Sequence, residues 1–217
     1  HRLNLSAPER IVNITDGVSV SRFYQLVGIE ANHDGAQHLD SWERFFIAAR
    51  EAQPTDPEAQ QALIRAMAER LFGNEPRFLE MVKRNCTIDD LLAVKARLIG
   101  SGKAGGKTMG MLLSRWIVRR ALPEFEPLLE PHDSWYLGSD VFYTYLIHNH
   151  LWKLRMQQCT EAGYFTQAPA LQEGILAGEF PDHLRGQFIR TLEYFGQTPI
   201  IVRSSSLLED SFGHAFA

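Results

Sequence analysis

A glycine-rich stretch in the middle of the chain has the composition of a phosphate-binding loop. Residues 100–108 read GSGKAGGKT and contain four glycines and two lysines. Glycine lets backbone N–H groups approach an anion closely and permits positive φ angles. A helix that begins after such a loop adds N–H donors and the positive end of its dipole, and a lysine adds a point charge. The pattern therefore predicts a site for an anion, most simply the polyphosphate of a nucleotide.

A second group of polar side chains follows a short hydrophobic run near the end of the sequence. The β-branched run Ile200-Ile201-Val202 favours a strand, and Pro199 suits a strand's first position. Arg203 follows, and its planar, permanently charged guanidinium can hold phosphate oxygens. The polar residues and the glycine after it are Ser204, Ser205, Ser206, Glu209, Asp210 and Gly213.

Each of these side chains also has a structural interpretation. Arg203 could form a salt bridge with Glu209 or Asp210 instead of binding phosphate. Ser204 and the two serines after it could donate to a phosphate or could satisfy backbone groups in a turn. No G-x-S-x-G sequence surrounds them, which disfavours a nucleophilic serine.

Two nucleotide-binding motifs compete for the glycine-rich loop. The first is the P-loop, G-x-x-x-x-G-K-[ST], whose last residues fit Gly106-Lys107-Thr108. Its first glycine would have to stand at Ser101, whereas the nearest glycine before that position is Gly100, one residue too early. The second is a G-G-K sequence followed by an apolar helix. Gly105-Gly106-Lys107 fits it, followed by Met109, Met111, Leu112 and Leu113.

The second motif and the tail both resemble the phosphoenolpyruvate synthases and pyruvate phosphate dikinases. The tail IIVRSSSLLEDSFGHAFA is similar to that family's hydrophobic strand, V-R-S-S, a variable stretch, E-D and a phenylalanine-alanine-glycine turn. The segment from Ser134 to Trp152 resembles, in order and spacing, the strand and helix that these enzymes carry near the nucleotide pocket.

The resemblance implies an N-terminal nucleotide-binding domain with an ATP-grasp fold. Lys107 and Arg203 match the family's basic residues that contact the nucleotide, and Gly105, Gly106 and Ser204 complete the expected ATP site. Mg²⁺ is the expected second cofactor. Its carboxylate or amide ligands are expected beyond Ala217, so no metal ligand is assigned within this chain.

In this family, ATP phosphorylates a histidine in a later domain, and the phosphate then passes to pyruvate or a related acceptor. The resemblance therefore implies a phosphotransferase, with no catalytic residue in this chain. The tail stops within the expected nucleotide site, so we expect the 217 residues to be part of a longer protein and to be inactive alone. His148 and His150 lie two residues apart and would not share a helix face, and neither is assigned the phosphoryl-carrying role.

The composition argues against several other classes of protein. The 217 residues are 45% hydrophobic and 22% charged, as in ordinary soluble domains. A net charge of −4 gives no reason to expect binding to nucleic acid or to a membrane surface. The longest apolar runs are far shorter than the roughly 20 residues of a membrane span, and no signal peptide is visible. Cys86 and Cys159 lack a C-x-x-C partner, which predicts reduced thiols in a cytoplasmic protein.

The elements that must position these residues indicate an α+β chain in two parts. We expect residues 1–97 to be a mostly helical N-terminal region and residues 98–217 to be the first part of an ATP-grasp domain. In the first part, residues 10–14 alternate like a short strand before a turn at 16–17. Four helices are expected between residues 40 and 97. Their start signals are Asp40 or Ser41, Asp56 with Pro57, Glu75, and Thr87 with Asp90.

The second part is expected to begin with the glycine-rich loop, followed by a helix to about Ala121. Residues 134–137 read as a strand whose Trp135 and Tyr136 belong to the core, not to an adenine pocket. A helix capped by Ser139-Asp140 should then run to about Gln158. The remaining expected elements are helices at 167–178 and 182–195 and a strand at 200–202.

Two further functions remain open from the sequence. One is a non-catalytic module in which the helices of residues 40–97 bind a protein partner and the loop is regulatory or vestigial. The other is a P-loop NTPase, which requires a strand before Gly100 within a parallel sheet.

Overall fold

The computed structural model of the protein describes residues 2–4, 11–13, 40–52, 54–130 and 133–204. Contacts between residues divide the chain into two units, His1–Ala96 and Arg97–Ala217. The described part is mostly helical, with two pairs of short strands, which agrees with the predicted α+β class. The assignment of the two units to particular domains stays a prediction.

The first unit begins with a small antiparallel pair of strands. Strand β1, Arg2–Asn4, pairs with β2, Ile11–Asn13, so that Leu3 lies opposite Val12. The second strand falls within the run 10–14 that alternation predicted. The turn expected at 16–17 lies outside the described residues.

The described part of the first unit continues with four helices: α1 Ser41–Ala52, α2 Pro57–Phe72, α3 Pro76–Asn85 and α4 Ile88–Ala96. Their starts follow the predicted local signals. Asp56 accepts a hydrogen bond from the N–H of Ala59 at 2.9 Å, and Pro57 is the first helical residue of α2. Before α4, the N–H of Thr87 donates to Asp90 at 2.9 Å and the N–H of Asp90 donates to the Thr87 hydroxyl at 3.2 Å. This exchange is a capping box.

The core of the first unit is built from apolar side chains of all four helices. Full burial of one such side chain stabilises a fold by about 1.5–3 kcal/mol, so packing of these side chains stabilises the arrangement of the four helices. The largest fully buried residues are Phe45, Leu63, Met67, Leu71, Phe72, Leu79, Val82 and Leu91.

The second unit is organised around two short parallel strands. Strand β3, Leu98–Ile99, pairs with β4, Tyr136–Leu137, and the N–H of Gly138 extends the ladder to the Ile99 carbonyl at 2.9 Å. Helix α5, Gly106–Ala121, and a 3₁₀ helix, Pro123–Leu128, connect the strands. Because the strands are parallel, the chain leaves both of them at the same edge of the sheet.

Five further helices complete the described part of the second unit: α6 Ser139–His148, α7 Trp152–Gln158, α8 Gly163–Thr166, α9 Ala168–Ala177 and α10 Asp182–Phe195. Ile99, Val141 and Leu184 form a buried cluster, against which Trp135 packs. Tyr136 is buried as well. Both aromatic residues therefore lie in the core, as predicted. Burial raises the pKa of Tyr136 to about 12, because the phenolate would lose its hydration.

The single helix predicted from Ser139 to about Gln158 is wrong, because the chain breaks after His148. His150 has a φ of 58° and occupies the left-handed position that glycine usually takes at a helix end. Its N–H bonds the Ile147 carbonyl at 3.1 Å, and the next N–H, of Leu151, bonds the Leu146 carbonyl at 2.7 Å. These two bonds form a Schellman motif, which ends α6 without the usual glycine.

The strand predicted at residues 200–202 is also wrong. Helix α10 ends before Gly196, which has a φ of 58°, and residues 201–204 have no regular secondary structure. Ile201 and Val202 are 88% and 84% exposed. β-branched residues favour a strand where neighbouring strands supply hydrogen bonds and packing, and no strand in the described ranges pairs with this segment.

Candidate phosphate-binding site

The first half of the glycine-rich loop, residues 100–103, is held by the first turn of α6. Asp140 bonds Ser101 twice, accepting from its N–H at 2.6 Å and from its hydroxyl at 2.9 Å. Ser139 accepts from the N–H of Lys103 at 3.0 Å through its hydroxyl oxygen and donates its own N–H to the Lys103 carbonyl at 3.0 Å. Backbone and side-chain bonds together therefore fix this half of the loop to the helix.

Helix α10 supplies a third side chain to the same half of the loop. Gln187 accepts from the N–H of Gly100 at 3.2 Å. Seven residues further along α10, the Tyr194 hydroxyl donates to Asp133 at 3.0 Å, and Arg97 donates to the same carboxylate. This bond to Asp133 raises the pKa of Arg97 above its ordinary value. Helix α10 thus contacts residues at both ends of β3, which fixes where the loop leaves the strand.

These contacts correct the predicted role of Ser139-Asp140. The N-cap of α6 is Gly138, and no side chain caps this helix. Both polar side chains bond the neighbouring loop instead. Asp140 remains a structural carboxylate, as expected, but its partner is Ser101, not the end of its own helix.

The close contact between the loop and α6 also explains the glycines in this half. Gly100 and Gly102 have φ angles of 72° and 85°, in the region that glycine adopts without strain. A Cβ atom on Gly138 would lie 1.9 Å from the Ser101 carbonyl oxygen, and one on Gly102 would lie 2.5 Å from the Ser139 hydroxyl oxygen. Three N–H groups of this half already bond protein oxygens. Residues 100–103 therefore bond other parts of the protein, and none of the five residues predicted to bind the nucleotide lies among them.

The second half of the loop has the features of an anion site. Helix α5 begins at Gly106, and its N-cap, Gly105, contributes no side-chain bond. The first bond along the helix runs from the N–H of Met109 to the Gly105 carbonyl at 3.1 Å, so the N–H groups before Met109 point toward the start of the helix. The first turn contains no acid and carries Lys107. Gly105, Gly106 and Lys107 are therefore grouped where the helix dipole favours a negative charge.

Arg203 and Ser204 lie in the exposed segment after α10. Within the described part of the chain, no hydrogen bond or ion pair joins Arg203 to the glycine-rich loop. The acids Glu209 and Asp210, which could pair with Arg203, lie outside the described residues. The structure thus groups three of the five predicted nucleotide-binding residues, and the role of Arg203 and Ser204 stays a prediction.

Comparison with known protein families bears on the residues from the glycine-rich loop onward. A family model described as pyruvate phosphate dikinase, AMP/ATP-binding domain, matches residues 101–217, which is more than half of the chain. The chain belongs to this family. The resemblance to the phosphoenolpyruvate synthases and pyruvate phosphate dikinases is therefore confirmed, and binding of AMP or ATP is the ligand chemistry of the matched domain. No curated protein and no solved structure matches the chain.

The match to the pyruvate phosphate dikinase family begins at Ser101, within the loop itself, and includes Lys107 and Arg203. It does not extend to the four helices α1–α4. The site residues that sequence reasoning missed are Ser101, Ser139 and Gln187, together with the true role of Asp140. The topology could have predicted these contacts. If β3 and β4 are parallel neighbours, the loops after Ile99 and Leu137 must lie at the same edge of the sheet.

Asp140 is partly buried where it bonds residues 100–103. Burial raises the pKa of Asp140, and the hydrogen bonds from Ser101 oppose that shift.

Across the ranges that the structure describes, no three His, Cys, Asp or Glu side chains come together as a metal site. None of the described helices is long and apolar enough to cross a membrane.

Proposed function

We propose that this chain is the ATP-binding part of a phosphotransferase with an ATP-grasp domain. ATP would phosphorylate an enzyme histidine, and the phosphate would then pass to pyruvate or a related acceptor. The observation that carries the proposal is the grouping of Gly105, Gly106 and Lys107 at the start of α5, within a domain family that binds AMP or ATP. The proposed location of the protein is the cytoplasm.

In this proposal, Lys107 and Arg203 supply positive charge to the nucleotide phosphates. Phosphoryl transfer depends mainly on positioning and on neutralising the phosphate oxygens, which suits a lysine at a helix end and an exposed guanidinium. Ser204 would add a hydrogen-bond donor. Mg²⁺ would enter with the nucleotide and neutralise further charge, while the chain's own residues hold and orient the phosphates.

Measurement of ATP binding by the full-length protein tests the two cations. We expect Lys107→Ala and Arg203→Ala each to weaken ATP binding by about tenfold or more, because a charged hydrogen bond contributes about 1.5–3 kcal/mol. Lys103→Ala and Arg185→Ala are matched controls, since both side chains are exposed and neither is assigned to the site. We expect these controls to change the affinity by less than about twofold, as exposed charges contribute little.

The result would contradict the site assignment if Lys107→Ala and Arg203→Ala both bound ATP as the controls do. ATP should also raise the melting temperature of the wild-type protein, because a ligand that binds only the folded state stabilises it. No effect of ATP, together with binding of a protein partner to residues 40–97, would favour the alternative of a non-catalytic module.

The P-loop NTPase is the weaker alternative. Strand β3 does precede Gly100 and is parallel to β4, so this requirement of the P-loop is met. However, Ser101 stands where the P-loop needs its first glycine, and the Ser101 N–H is bonded to Asp140 at 2.6 Å. The pyruvate phosphate dikinase family match favours the G-G-K interpretation of the same loop.

A further inference from the structure

Asp140 connects the half of the loop that the protein holds to the half that we assign to phosphate. Its two carboxylate oxygens bond the N–H and the hydroxyl of Ser101 at 2.6 and 2.9 Å. In the opposite direction, its own N–H donates to the Ser101 carbonyl at 3.3 Å. All three hydrogen-bonding groups of Ser101 are thereby bonded by one residue, 39 positions further along the chain.

Little freedom remains between Ser101 and the start of α5. Lys103 is bonded to Ser139 through both its N–H and its carbonyl. The next residue, Ala104, is 1% exposed, and Gly105 is already the N-cap of the helix. A displacement of Ser101 would therefore move the first N–H groups of α5, because the residues between them, apart from Gly102, are hydrogen-bonded, buried or part of the helix cap.

We propose that Asp140 is a positioning residue for the nucleotide phosphates: it holds Ser101, and through the loop it sets the place of the N–H groups at the start of α5. This inference rests on the proposed ATP-binding function. Asp140 does not contact the nucleotide in this arrangement. Anion sites at helix ends depend on donors that are already oriented, which is the property that a fixed loop supplies.

The charge of Asp140 makes the opposite role conceivable, in which the carboxylate competes with a phosphate for the Ser101 N–H. Geometry favours positioning, since the carboxylate bonds Ser101 in the first half of the loop and not the residues assigned to phosphate. Among the side chains of the described residues that bond residues 100–103, Asp140 is the one acid. The other charged or titratable side chains on the elements that bond this half, besides tyrosines, are Lys103 on the loop, His148 on α6, and Asp182, His183, Arg185, Arg190 and Glu193 on α10.

Two substitutions of Asp140 separate geometry from charge. Asp140→Ala removes both acceptors, whereas Asp140→Asn keeps one oxygen for the Ser101 N–H and one N–H for its hydroxyl. We expect Asp140→Ala to weaken ATP binding by about tenfold, because hydrogen bonds to a charged group are lost. We expect the ATP affinity of Asp140→Asn to stay within about threefold of wild type, because both bonds to Ser101 can still form. A threefold change corresponds to about 0.65 kcal/mol.

The choice of ligand and control distinguishes positioning from a general loss of stability. Adenosine lacks phosphates, so its affinity should be the same in wild type and Asp140→Ala. Asn149→Ala is the matched control, because Asn149 ends the same helix and makes two bonds of 2.9 Å to the Glu179 backbone. It should reduce stability but leave ATP affinity within about twofold.

Three results would overturn the proposal. The first is that Asp140→Ala binds ATP as wild type does. The second is that it binds ATP more tightly, which would mean that the carboxylate competes with phosphate. The third is that Asn149→Ala loses as much ATP affinity as Asp140→Ala.

Hydrogen exchange of residues 100–106 without nucleotide gives an independent readout. We expect it to be about tenfold faster in Asp140→Ala and near wild type in Asp140→Asn. If wild type binds no ATP, the proposed function is wrong, whereas the exchange rates still decide whether Asp140 holds the loop.

Discussion

The two halves of the glycine-rich loop contain the same kinds of residue but differ in what they contact. In residues 100–103, glycines permit positive φ angles and close contact with α6, and the N–H groups bond Asp140, Ser139 and Gln187. In residues 105–108, Gly105 is the N-cap and Gly106 the first residue of α5, and the N–H of Met109 bonds the Gly105 carbonyl. A glycine-rich composition therefore does not identify which glycines approach a ligand. The packing partners on neighbouring elements decide that.

The largest expected effect comes from removing the close contact of the held half. Gly138→Ala would place a Cβ atom 1.9 Å from the Ser101 carbonyl oxygen, so either the loop or the start of α6 must move. We expect a loss of about 3 kcal/mol or more in the free energy of unfolding, as for severe overpacking. Urea unfolding of wild type and Gly138→Ala measures this difference in the free energy of unfolding.

Gly110→Ala in α5 is the matched control for this substitution. A Cβ atom at Gly110 meets no atom within 4 Å, and alanine is favoured over glycine inside a helix by about 0.8–1 kcal/mol. The control should therefore stabilise the protein. Equal effects of the two substitutions would show that the contact between Gly138 and the loop does not hold the first half in place.

The local features of the chain were predictable from sequence. Asp56 with Pro57 and Thr87 with Asp90 marked two helix starts, because a cap and its helix lie within four residues of each other. The grouping of Gly105, Gly106 and Lys107 followed from the same kind of short-range reasoning, since a helix had to begin there. Family membership was also correctly inferred from two motifs.

The features that were missed depend on residues far apart in the sequence. Asp140 holds Ser101 across 39 positions, and only the pairing of β3 with β4 brings them together. The helix break at His150 was not predicted, because no glycine stands at this position. The strand expected at 200–202 was inferred from β-branched side chains, although a strand also needs a neighbour that the sequence did not identify.

The second half of the loop can be tested by adding a helix cap to it. Gly105 has φ and ψ angles of −81° and −179°, which any residue adopts. Gly105→Asp should stabilise α5 by up to about 1 kcal/mol, because aspartate is a strong N-cap and favours the positive helix end. The same charge should weaken ATP binding by about tenfold, since it occupies the proposed phosphate position.

Gly105→Asn separates the two effects, because asparagine caps a helix about as well but carries no charge. We expect a gain of only a few tenths of a kcal/mol in stability, because the dipole contribution is absent, with a smaller loss of ATP affinity. If Gly105→Asp bound ATP as tightly as Gly105→Asn, the phosphate would not lie at the start of α5. The difference between the two halves of the loop would then have to be explained without a ligand.

The smallest expected effect is the pH dependence that Asp140 adds to stability. Its pKa is raised in the folded protein by burial, so between the ordinary and the raised value the folded state binds more protons than the unfolded state. By linkage, the contribution of Asp140 is fully present below its ordinary pKa and is lost as the pH rises through the folded-state pKa. Asp140→Asn has no such titration. The stability of this variant relative to wild type should therefore increase as the pH rises through that window and level off toward neutrality.

Urea unfolding of wild type and Asp140→Asn across the acidic range measures this difference, and Asp182→Asn, which changes an exposed acid of α10, is the control. Wild type and Asp140→Asn contain the same other carboxylates, so the difference between them reports Asp140. A relative stability that fell as the pH rose would mean that the bonds from Ser101 outweigh burial and lower the pKa. The held half of the loop would then be stabilised by the charge of Asp140, whereas the structure indicates that it is stabilised by the position of its oxygens.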